Sequence, residues 1–131
     1  MTTRSRIRAL IIGGVILLGA GAAGAHHSFD AEYDSSKPVT LTGVVTKLDW
    51  INPHAYVYLA VRDADGAVRN VKVEMGPPYA LVRGGWKRDT VKAGDTVTIN
   101  GAAAAKDGSD AAGSMATTSM TLAAGRKLGM R

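Results

Sequence analysis

Between Val39 and Leu122 the apolar residues of this chain recur at alternate positions in short runs, and glycine, proline or an Asp-Gly pair ends nearly every run. A period of two sends successive side chains to opposite faces of an extended backbone, whereas a helix needs a period near 3.6. Such runs demand sheet. They are also too short to stand alone, so they must pair with one another around a shared core.

Val39 to Trp50 is rich in Val, Thr and Leu, and its apolar parity changes from Val39 and Leu41 to Val44, Leu48 and Trp50 around Gly43. A glycine at a parity change predicts a bulge and a sharply curved strand. Asn52-Pro53 interrupts it, since proline has no N–H to donate. His54 to Arg62 resumes as a strand with Ala55, Val57, Leu59 and Val61 on one face and His54, Tyr56, Tyr58 and Arg62 on the other. Asp63-Ala64-Asp65-Gly66 reads as a hairpin turn, and Val68 to Met75 follows with Val71, Val73 and Met75 on one face. Pro77-Pro78 and Gly84-Gly85 bracket a short helix over 79–83. After the turn at 92–95, Val97 and Ile99 mark a fourth strand reaching Gly101, and Met115 to Leu122 is expected to supply a fifth. Three strands, a short helix and two strands, the first long and bent, is the order of a five-stranded OB-like barrel, an all-β fold with small α content. A small open β-sandwich is the alternative.

The N-terminus reads differently. Arg4, Arg6 and Arg8 precede an uncharged stretch from Ala9 to Leu18, and Ala23-Gly24-Ala25 offers a small-residue cleavage site. This pattern predicts a Sec-type signal peptide over 1–25, an N-terminal arm over 26–38 and the OB-like domain over 39–131. The apolar core is short for a span of ~20 residues, so no stable membrane anchor is expected after cleavage. Phe29, Ala31 and Tyr33 alternate with polar neighbours, which suggests an extended, docked arm. Export to the periplasm or beyond with no cysteine in the chain means that folding rests on burial without disulfides. The 16 basic and 11 acidic residues look unbalanced, but three basic residues lie in the signal, leaving 13 against 11. That near balance, together with export, argues against a nucleic-acid partner.

His26-His27-Ser28-Phe29, Trp50-Ile51-Asn52-Pro53-His54, Arg83-Gly84-Gly85-Trp86 and Gly94-Asp95-Thr96-Val97, spaced as here, resemble the exported bacterial family catalogued as domain of unknown function 6152. The resemblance spans essentially the whole mature chain. It implies an exported OB-like domain and carries over no catalytic residue.

All three histidines fall at the predicted mature N-terminus or in the Asn52-Pro53-His54 turn. Cleavage after Ala25 would give His26 a free α-amine, whose ordinary pKa of ~7.7 lets it lose its proton and coordinate a metal. That amine, the His26 imidazole and a further imidazole from His27 or His54 would make a three-nitrogen set suited to Cu(II) or Ni(II). Copper is therefore the expected cofactor of a metal-binding reading. Asp30, Glu32 or Asp34 would add an oxygen and shift the preference toward Zn(II) or Mn(II). The competing reading leaves His26 and His27 solvated at a mobile terminus and gives His54 a turn-bracing role.

A second candidate is a metal-free ligand or protein-interaction face made by Trp50, Tyr56 and Tyr58 with the basic stretch around Arg83 and Trp86. Paired strand tyrosines also serve cross-strand packing, and Trp86 would equally plug the barrel end. The expected partner is a small ligand or another periplasmic protein. The scattered methionines read as core fillers. No nucleophile elbow, phosphate-cradling glycine loop or cysteine nucleophile is present, so the sequence carries no enzyme signature.

Overall fold

A computed structural model describes residues 28–131. His26, His27 and the predicted signal peptide with its cleavage site lie outside the described residues. Residues 28–32 are helical, which corrects the extended arm expected there. Five residues are too few for a period of two to be told from a helical fragment. The compact unit Glu32–Arg131 contains every strand of the described residues.

From Tyr33 onward, seven strands and one helix follow in order: β1 (Tyr33–Asp49), β2 (Tyr56–Arg62), β3 (Val68–Glu74), α1 (Pro78–Arg83), β4 (Thr96–Ala105), β5 (Ala111–Gly113), β6 (Ser119–Leu122) and β7 (Lys127–Gly129). The first five pair in the order β1-β2-β3-β5-β4, and β4 returns to β1, so the sheet closes on itself. Among the described strands only the β3–β5 pairing is parallel. A closed five-stranded barrel of this strand order, with its helix between β3 and β4, is the OB-type architecture. No helix among the described residues is long and apolar enough to cross a membrane.

β1 can serve two neighbours because it is 17 residues long and bends. Its first part pairs with β4 and its last part with β2. The strand begins at Tyr33, earlier than Val39, because the Ser35–Pro38 breaker is absorbed as an irregularity between Asp34 and Pro38. The parity change lies between Val45 and Lys47, and the extra residue is Thr46. Gly43 has another role. A Cβ there would stand 2.5 Å from the Ala60 carbonyl oxygen, so the glycine permits close approach of β1 and β2. Accordingly Val44, expected to face inward, is 40% exposed, while Leu41 and Val45 enter the core.

The fifth strand is the other departure. Ala111–Gly113 closes the barrel between β3 and β4, and after a detour over 114–118 the chain pairs with β4 again as β6. The alanines of 102–105 and 111–112 are weak strand formers by propensity. Pairing on both sides, not propensity, makes them sheet. Two hydroxyls of the detour are used internally: Thr118 Oγ1 donates to the Gly101 carbonyl and Ser114 Oγ to that of Met130.

The core joins Val57, Leu59, Val71, Val73, Val97 and Ile99 of the barrel wall to Leu81 and Trp86 beneath it. Each such side chain contributes roughly 1.5–3 kcal/mol when fully buried. α1 starts with proline at its first turn and closes one barrel end with Leu81. Trp86, 1% exposed, completes the plug and donates its indole N–H to the Gly129 carbonyl at 2.6 Å.

Candidate functional site: a histidine-centred face on the barrel wall

The hairpin turn sets what stands beside what. Asp63 N–H donates to the Ala67 carbonyl and Gly66 takes a positive φ of 89°, which closes β2 onto β3 with Arg62 opposite Val68. From there the ladder places Lys72 opposite Tyr58 and Glu74 opposite Tyr56. Because Val57, Leu59, Val71 and Val73 point inward, Tyr56, Tyr58, Lys72 and Glu74 share the outer face. On the other side of β2, Lys47 and Asp49 stand opposite Tyr58 and Tyr56.

His54 sits just before β2, after the cis Asn52–Pro53 bond, with Ala55 already in the core. Its Nδ1 lies 3.0 Å from Glu74 Oε1, and the two side chains are 33% and 12% exposed. The other carboxylate oxygen, Oε2, accepts a hydrogen bond of 3.0 Å from the Tyr33 hydroxyl. An ionised carboxylate can only accept, so Nδ1 carries a proton. In the neutral ring that leaves Nε2, on the opposite edge, with the lone pair. Tyr33 is nearly buried, and burial first, the Glu74 charge second, push its phenol well above the ordinary value of 10. It therefore stays a neutral donor and keeps Glu74 anchored.

The tyrosines expected to offer a stacking platform are already engaged. Lys72 Nζ stands 4.1 Å from the centroid of the Tyr56 ring and Lys47 Nζ 5.2 Å from that of Tyr58. Tyr58 donates to Asp49 at 3.1 Å, and Lys47 pairs with the same carboxylate at 2.9 Å. The Lys47 hydrogen bond holds the Asp49 carboxyl below the usual carboxylate range and the Lys47 ammonium above its own. Burial raises the Tyr56 phenol, with Glu74 and then Glu32 adding to the effect.

The sequence-predicted residues thus divide. His54, Tyr56 and Tyr58 come together on one face. Trp50 packs half-buried against the core, Trp86 lies inside it, and Arg83 belongs to α1, its guanidinium 5.7 Å from the Tyr79 ring. Of the possible oxygen ligands, Asp34 is taken up by Ser36 and Lys37. Among the described residues no three His, Cys, Asp or Glu side chains converge as a ligand set.

Sequence reasoning missed Glu74 and Tyr33, the two residues that orient His54. For Glu74 the signal was present, since counting outward from the Asp63–Gly66 turn sets it opposite Tyr56. For Tyr33 there was none, because its approach depends on barrel closure.

No curated protein and no solved structure matches the chain. The model of a family of unknown function, DUF6152, matches residues 15–114, more than half of the sequence, including the His54 face and the barrel strands through β5, and the chain belongs to that family.

Proposed function

We propose that this protein is an exported OB-type binding module that takes up a transition metal, copper(II) first, through His54 and the mature N-terminal His26. The observation that carries the reading is the Tyr33–Glu74–His54 chain of hydrogen bonds. Metal-binding histidines characteristically donate their second ring N–H to a carboxylate, which fixes tautomer and orientation and makes the free nitrogen more basic. His54 meets that description, and its ring is partly open to solvent.

The remaining ligands lie outside the described residues, so chain length decides whether they can reach. Six residues separate His26 from Tyr33, whose hydroxyl shares the Glu74 carboxylate with His54. With residues 28–32 helical at about 1.5 Å per residue and the other links extended, that length spans at most about 17 Å. A free amine and imidazole at His26 with His54 Nε2 would form a nitrogen-rich set, which favours Cu(II) over the oxygen-seeking divalent ions. His27 is the alternative third nitrogen.

The test is Cu(II) titration of the protein purified after export, with its N-terminal mass determined. One equivalent should bind tightly, and both His54→Ala and N-terminal acetylation should weaken it at least tenfold. Binding no tighter in the intact protein than in a free His-His peptide, or unchanged by His54→Ala, would overturn the reading.

A further inference from the structure

The mature domain is nearly neutral, yet its charge is not spread evenly. Residues 78–91 and 123–131, which form α1, the loop after it and the β6–β7 end of the chain, hold six basic residues and one acidic residue, Asp89. The rest of residues 28–131 carries seven basic against ten acidic. The fold joins these two distant segments. Arg126 donates to the Gly85 carbonyl at 3.1 Å, and Trp86 donates to that of Gly129. Arg83, Lys87, Arg88, Arg126, Lys127 and Arg131 are all exposed at this barrel end.

The same end presents apolar side chains to water. Leu81 turns inward from α1, while Tyr79 and Val82 are 65% and 57% exposed. Positions 79, 82 and 83 share one helix face by their spacing of three and four. That face therefore carries a tyrosine, a valine and an arginine, flanked by further cations.

We propose that this barrel end is a docking surface for an anionic phospholipid bilayer, with Tyr79 and Val82 entering the headgroup layer and the basic residues meeting lipid phosphates. Charge complementarity selects an anionic partner. The exposed valine and tyrosine select a lipid surface over nucleic acid: an aliphatic side chain gains by leaving water and offers no base a stacking plane, and tyrosine favours the interface. Docking is peripheral and reversible, and it calls on none of the histidines.

The experiment is cosedimentation of the exported protein with vesicles of phosphatidylcholine alone or with phosphatidylglycerol added, at low and high salt. Each basic residue near an anionic surface is worth roughly a fivefold gain in partitioning. The double variant Arg88→Ser/Lys127→Ser removes two exposed cations that make no side-chain hydrogen bond among the described residues, and should lower partitioning by about 25-fold with thermal stability unchanged. Tyr79→Ser/Val82→Ser should weaken binding at both salt concentrations. Equal binding to phosphatidylcholine alone, no binding to the anionic vesicles, full binding by Arg88→Ser/Lys127→Ser, or tighter binding to a duplex DNA oligonucleotide at the same salt would overturn the proposal.

Discussion

Replacing Glu74 by Gln changes one atom and reverses the hydrogen-bond logic of the site. The carboxylate is 12% exposed and accepts from both His54 Nδ1 and Tyr33. Glutamine keeps the shape and can still accept from Tyr33 through its carbonyl, but then turns its amide N–H₂ toward His54. Two donors cannot share one contact. The imidazole must therefore move its proton to Nε2, the atom assigned to the metal, or lose its anchor. Loss of such a supporting carboxylate typically costs 10–100-fold in metal affinity, or about 1.4–2.7 kcal/mol. The fold should lose less, about 1 kcal/mol for one altered hydrogen bond. Competitive Cu(II) titration reads the affinity, and nitrogen NMR of His54 reads the tautomer. Wild-type Cu(II) affinity in Glu74→Gln, together with a large loss in His54→Ala, would show that the carboxylate does not orient the histidine and would refute the reasoning.

Two further outcomes follow from the fold itself. Gly43→Ala places a Cβ 2.5 Å from the Ala60 carbonyl oxygen, a backbone atom paired within the sheet, so urea unfolding should show a loss of about 2–3 kcal/mol. A fully stable variant would mean that β1 and β2 do not approach as closely as described. Tyr33 gives a pH dependence whose sign is fixed by its raised folded-state value: below pH 10 the phenol is neutral folded or unfolded, and above it the unfolded chain releases the proton that the folded chain retains. Stability should therefore fall as pH rises above about 10, and Tyr33→Phe should flatten that fall in unfolding measurements between pH 9 and 11.

Much of this architecture was legible in the residues alone. Alternation in β2 and β3 named their inward faces, Asp63–Gly66 named the hairpin, and the prolines and paired glycines bracketed α1, because each of these signals acts over a few neighbouring residues. Local chemistry likewise singled out His54, Tyr56 and Tyr58 as neighbours on one strand face. Partnerships between segments were another matter. Closure through the alanines of β4 and β5, the placement of Thr46 rather than Gly43 as the extra residue, and the two carboxylate contacts that orient His54 all depend on register across strands distant in sequence. Charge shows the same division most plainly: composition gives a near balance over residues 26–131, and only the packing of the β6–β7 end against the loop after α1 brought six cations to one end of the barrel. Sums and periodicities are properties of the chain, whereas fields and ligand geometries arise from groups that the closed barrel brings within a few ångströms of one another.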